Sequence, residues 1–131
     1  MTTQIERFDV TPRMSKIVRH ENTIYLCGQT AKGAAAGSIA DQTREVLSRV
    51  DALLAKAGSD RSRILTAMIF LRNIRDFGGM NEVWEAWIPS GAAPARATVQ
   101  AHLASEELLV EVTITAAIAY PPGSPNDRRH L

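Results

Sequence analysis

Two charged residues interrupt the most apolar part of the chain. In the stretch PARATVQAHLASEELLVEVTITAA, Arg96 stands among alanines, and Glu111 lies inside LLVEVTITAA, which is otherwise apolar or hydroxylic. Burying an unpaired charge is costly, so each needs a partner, water or a task. The planar guanidinium fork of an arginine suits bidentate capture of a carboxylate, which makes Arg96 a candidate anion-binding residue. Two wet charges on a solvated sheet face are the simpler alternative, and residue type alone does not name a reaction.

Other chemistry is harder to place. Cys27 is the single cysteine. Without a histidine neighbour evident in the sequence, it reads as a small buried hydrophobe rather than a nucleophile. His20, His102 and His130 show no ligand spacing with carboxylates or with Cys27, so no metal site is expected. Gly33 and Gly37 fit no phosphate-loop pattern, since no lysine follows at the spacing required. Single-stranded RNA binding calls for a basic groove and aromatic platforms. Aromatic residues make up only 5% of the chain, and the 15 basic and 14 acidic residues leave a formal charge of +1. Trp84 and Trp87, at i, i+3 on a helix, are explained by core packing. No nucleic-acid partner is expected.

The chain has 131 residues, 45% hydrophobic and 22% charged. That balance suits one globular domain, read here as residues 1–120, with the aperiodic tail 121–131 expected to be disordered. The lone cysteine fits a reducing compartment. MTTQIERFDV has charges where a signal peptide needs its apolar core, and no apolar run approaches a membrane span. A cytoplasmic protein without membrane contact is expected.

The elements that must carry Arg96 and Glu111 follow from periodicity. Ile5–Val10, Ser15–His20 and Thr23–Cys27 read as short strands, with His20-Glu21-Asn22 as a turn. Asp41–Ala57 is the clearest helix: Val46, Leu47, Val50, Leu53, Leu54 and Ala57 form one apolar stripe, Asp41 is the candidate N-cap and Gly58 the C-terminal cap. The loop Lys32–Ser38 before it is expected to border a cleft mouth. Ile64–Leu71 reads as a strand covered on both faces, and Met80–Trp87 as a second helix. In the next strand Ala97, Val99, Ala101 and Leu103 alternate with Arg96, Thr98, Gln100 and His102. In the last, Val110, Val112, Ile114, Ala116 and Ile118 alternate with Glu111, Thr113 and Thr115. The order β-β-β-α-β-α-β-β gives an α+β mixed β-sheet with two helices packed on one face.

Joined as a hairpin through ASEE, the last two strands would place Gln100 opposite Glu111. Arg96 and Glu111 would then share the uncovered face, separated along the sheet by on the order of 13 Å at roughly 3.3 Å per residue. That is too far for a tight pair within one chain. A neighbouring subunit that covers the open face would bring the two together.

The combination YLCGQTA, LLAKAGSDRSRIL, MNEVWEAW and PARATV…LLVEVTITA resembles the RidA family, also called YjgF/YER057c/UK114, with the older label L-PSP endoribonuclease. The resemblance runs from about Met14 to Ala119 with its motifs in order. It implies a chorismate-mutase-like fold assembled as a homotrimer with clefts between subunits. It further implies hydrolytic deamination of enamine/imine intermediates, of the 2-aminoacrylate/2-iminopropionate type, to 2-keto acids and ammonia, without metal or cofactor. Position by position, Arg96 matches the arginine that holds the substrate carboxylate and Glu111 the acidic residue that orients the hydrolytic water. Gly28 matches the glycine whose backbone approaches the ligand, and Asn81 an asparagine lining the cleft. The chain departs from the family at Cys27, where serine is common, at Thr98, where cysteine is common, and at Met14, where a tyrosine is common. The backbone carbonyl at Thr98 can still orient water. The loop before Pro94 is also shorter, so these positions bear on cleft shape and substrate preference.

The competing expectation is a trimer that binds small carboxylates through Arg96 and regulates or sequesters without turnover. Glu111 favours the enzyme, because mere binding of an anion gives no reason for a second carboxylate beside it.

Overall fold

The chain opens with a meander. β1 (Ile5–Val10), β2 (Ser15–His20) and β3 (Thr23–Leu26) pair antiparallel in succession. The β2–β3 turn holds Glu21 in the left-handed region, at φ +56°. The structure, a computed structural model, describes residues 4–119. The expected disordered tail, 121–131, lies outside the described residues.

Helix α1 (Ile39–Lys56) begins two residues before Asp41. Its N-cap is Ser38, whose Oγ accepts from the Asp41 N–H at 3.0 Å. The capping role expected of Asp41 therefore belongs to Ser38, the residue with extended backbone geometry, while Asp41 contributes negative charge to the first turn. Gly58 closes the helix at φ +79°, as its position predicts.

Strand β4 (Ile64–Leu71) leads into α2 (Phe77–Trp87), which starts three residues earlier than expected. The sequence obscures this start because Gly78 and Gly79 are poor helix formers. Packing requires one of them: a Cβ on Gly79 would stand 2.8 Å from Cγ2 of Ile39, at the start of α1. Strands β5 (Ala95–Gln100) and β6 (Val110–Ala117) complete a six-stranded mixed sheet of order β1-β2-β3-β6-β4-β5.

Ile17, Ile24, Leu26, Ala67, Ile69, Leu71, Val110, Val112, Ile114 and Ala116 face α1 and α2 and form the core with Val46, Leu47, Val50, Leu54, Met80 and Trp84. Both helices thus cover one face of the sheet, as expected. Among the described residues, no helix is long and apolar enough to cross a membrane.

The hairpin expected between the last two strands is absent. β5 pairs parallel with β4, and β4 pairs antiparallel with β6, so β4 lies between them and β5 is a sheet edge. The connection is anchored elsewhere: Arg72 donates to the carbonyls of Leu108 (2.8 Å) and Ser105 (2.6 Å), and buried Gln42 of α1 bridges Glu107 O and Leu109 N. These long-range bonds satisfy the loop's backbone without cross-strand pairing.

Candidate functional site

The register reverses the expected facing of β5. Arg96 pairs with Ala67 and Thr98 with Ile69, both core residues, so these side chains lie on the helix side. Glu111 pairs with Phe70 and Thr113 with Met68, on the open side. The expectation that Arg96, Thr98, Glu111 and Thr113 share the uncovered face is therefore corrected: Ala97 and Val99 take the open side of β5. Alternation separated the two sets of residues; pairing with β4 decided which set faces the helices.

Arg96 and Glu111 remain far apart in one chain. They sit two strand spacings and three residues from each other, on the order of 14 Å. Each belongs to its own cluster.

The first cluster joins α2 to the sheet edge. Phe77, Asn81 and Trp84 recur at i, i+4, i+7 and so share one face of α2. The Arg96 guanidinium carbon lies 5.4 Å from the Trp84 ring centroid and 5.8 Å from that of Phe77. Arg49, Arg61 and Arg72, also half-buried, spend their guanidinium groups on carboxylates or backbone carbonyls. Among the described residues, the Arg96 guanidinium forms no hydrogen bond or ion pair. Burial lowers its pKa from the usual arginine value, and the charge of Glu85 opposes that shift; an arginine stays protonated at neutral pH. Asn81 Oδ1 and Thr98 Oγ1 are buried without a partner. The unused Arg96 N–H groups and the Thr98 hydroxyl can donate to an anion, whereas Asn81 Oδ1 only accepts and calls for an N–H or O–H donor.

The second cluster lies at the end of β3. A Cβ on Gly28 would stand 3.1 Å from Cδ of Glu111 and would collide with Oε2, so only glycine lets the chain pass this close to the carboxylate. Gln29 Nε2 donates to the carbonyls of Cys27 (3.2 Å) and Gly28 (3.3 Å) and to Cys27 Sγ (3.2 Å), while the Gln29 backbone bridges to Val112. Cys27 is half-buried. Burial pushes its thiol pKa up and nearby Glu111 adds to that, while Lys16 and the Gln29 hydrogen bond pull it down. A thiol kept protonated is a poor nucleophile, and Cys27 is half-buried rather than the buried hydrophobe the sequence suggests.

Met14 lies in the Thr11–Met14 turn, 50% exposed, two residues before Lys16, whose carbonyl accepts from the Cys27 N–H. Met14 thus precedes β2 at the same end of the β2–β3 pair as Cys27. Of the expected site residues, the structure brings together Arg96, Asn81 and Thr98, and separately Cys27, Gly28 and Glu111. Sequence reasoning missed Gln29, Phe77 and Trp84. The i, i+4, i+7 spacing around Asn81 was the signal available for the two rings.

A groove of about 420 Å³ between α1 and α2 contains none of these residues. Its two arginines are occupied, Arg44 by Asp41 and Arg61 by Asp51. Among the described residues, no three His, Cys, Asp or Glu side chains group to hold a metal.

Comparison with known proteins matches residues 4–118 to the family described as Endoribonuclease L-PSP. The RutC family protein YoaB of Escherichia coli is 43% identical over 114 residues, covering 87% of this chain and 98% of its own. A RutC family protein of Haemophilus influenzae is 40% identical over 112 residues, covering 86% and 97%. The crystal structure of a YjgF family member from Neisseria meningitidis superposes with a TM-score of 0.86 at 41% identity, covering 90% of this chain and 98% of that one. The chain belongs to the RidA (YjgF/YER057c/UK114) family, the L-PSP family of the older label.

Proposed function

We propose that the chain hydrolyses small enamine/imine acids of the 2-aminoacrylate/2-iminopropionate type, reacting as the imine tautomer, to 2-keto acids and ammonia, in clefts between the subunits of a homotrimer. Family membership supports a small-molecule-processing role. The observation that carries the finer reading is the pair of incomplete clusters: an arginine with unspent donors on an edge strand, and a carboxylate set against a glycine on the open face. Each has what the other lacks, and only a second copy can join them.

In this reading Arg96 takes the substrate carboxylate through its fork and fixes the anion. Glu111 orients a water toward the imine carbon. Water adds to that carbon, giving a carbinolamine; nitrogen takes up a proton, the C–N bond breaks, and ammonia leaves as the carbonyl forms. The iminium carbon is already electrophilic, so positioning and a polarised water supply most of the acceleration. Thr98, in place of the family's cysteine, retains the backbone carbonyl that can orient water.

The carboxylate-binding trimer without turnover is the second reading, and the unpaired Arg96 guanidinium and the unpartnered Thr98 hydroxyl suit it equally well. RNA cleavage gains nothing from the tryptophans: Trp84 is 4% exposed and packs on Trp87, so neither offers a free stacking platform. The test is turnover of enzymatically generated 2-aminoacrylate, followed as keto acid and ammonia, by wild type and Arg96→Ala. Acceleration by the wild type alone supports the hydrolase. No acceleration over buffer, with this or longer imines, ends it in favour of the binding module.

A further inference from the structure

We propose that Phe77 and Trp84 are the positioning residues of Arg96: an aromatic clamp that fixes the guanidinium without consuming any of its hydrogen-bond donors. The inference rests on the reading of Arg96 as the carboxylate-binding group.

A cation that must grip an anionic ligand poses a conflict. Fixing it with carboxylates or carbonyls, as in the other half-buried arginines, uses up the N–H groups the ligand needs. Leaving it unheld makes binding bear the entropy of ordering a long side chain. Aromatic faces resolve the conflict, because they attract a guanidinium through the ring quadrupole and leave its in-plane N–H groups free. Both centroid distances fall within the range of about 6 Å over which that attraction acts.

The clamp is itself anchored. Trp84 meets Trp87 at a centroid distance of 5.5 Å and an interplanar angle of 47°. Trp87 Nε1 donates to Asp51 Oδ2 at 3.0 Å, and Arg61 lies over the Trp87 ring at 5.0 Å while pairing with the same aspartate. The sheet-edge arginine is thus braced through α2 onto α1. Phe77, 43% exposed, forms the outer jaw.

The experiment uses the full chain and the variants Phe77→Leu, Phe77→Tyr, Trp84→Leu and Trp84→Phe. Because Trp84 is buried and its leucine variant can lose stability, Phe77→Leu is the decisive one. The ligand-free readout is the Arg96 Nε–H resonance by NMR. The expected result is an upfield ring-current shift in the wild type, reduced in either leucine variant and retained in Phe77→Tyr and Trp84→Phe. The ligand readout is calorimetric titration with 2-oxobutanoate, where Phe77→Leu weakens binding about 3- to 30-fold and the tyrosine variant recovers it. With an imine substrate, KM rises by a similar factor while kcat changes little, the signature of lost binding rather than lost chemistry. An Arg96 resonance at its ordinary position, unchanged in the variants, overturns the clamp. So does binding by Phe77→Leu within twofold of a wild type that does bind. A wild type that shows the ring-current shift but neither binds nor turns over a keto or imino acid keeps the clamp and removes the proposed function.

Discussion

Gly28 and Glu111 are in direct contact: a methyl group on Gly28 would occupy the space of the Glu111 carboxylate. The backbone passes the carboxylate at this distance because position 28 carries no side chain. No positive φ is required there, so alanine meets no backbone strain. Gly28→Ala is expected to fold normally and to turn the Glu111 side chain aside. If Glu111 orients the water, the rate falls on the order of 10²-fold, the scale of a misplaced catalytic group. Steady-state kinetics beside a thermal melt checks this; unchanged kinetics would remove Glu111 from the chemistry.

If the site is shared between subunits, Arg96→Ala and Glu111→Gln are each inactive alone yet complement each other. Unfolding and reassembling the two variants in equal amounts restores about a quarter of wild-type activity, because one cleft in four pairs an intact arginine with an intact glutamate. No recovery, with mixed oligomers demonstrated by mass spectrometry, would mean that Arg96 and Glu111 do not share one cleft.

Cys27 is expected to react slowly. Burial and then Glu111 hold its thiol above the ordinary value. Alkylation by iodoacetamide at neutral pH should lag a model thiol and accelerate only above the ordinary thiol range near ~8.5. The same shift has a stability sign. Above that range the unfolded chain loses its thiol proton first, so the contribution of Cys27 to stability declines as pH rises toward the folded value. Alkylation rates against pH, with Cys27→Ser as blank, test it.

Gln42→Leu leaves Leu109 N–H and Glu107 C=O without their partner on α1. A loss of about 2–4 kcal/mol is expected in urea denaturation, since orphaned buried groups keep their full desolvation cost. A change under about 0.5 kcal/mol would mean water replaces the amide.

Much of the architecture was legible in the chain. The β2–β3 turn, the α1 stripe ending at Gly58, and the alternation of β5 and β6 are local properties, set by turn chemistry and side-chain period. Arg96 and Glu111 stood out as charges in apolar strands, the resemblance supplied Met14, Cys27, Gly28, Asn81 and Thr98, and the structure sorts all but Met14 into two groups. Gln29 escaped notice because an amide beside a glycine looks like ordinary loop polarity; only its three short contacts show that it clips the turn at Cys27. Phe77 was hidden by the two glycines that blur the start of α2.

What the sequence by itself determined is that Arg96 and Thr98 alternate with Ala97 and Val99 and that Glu111 alternates with core residues; the separation of the two charges, expected from a hairpin that does not form, is set instead by β4 lying between their strands. The tertiary structure alone decided that β4 intervenes between β5 and β6 and that Arg96 turns toward α2. The reason is physical. Alternation is a local consequence of pleat geometry, whereas the face each set takes depends on register with a strand distant in sequence, and a one-residue change in that pairing moves every side chain to the other side.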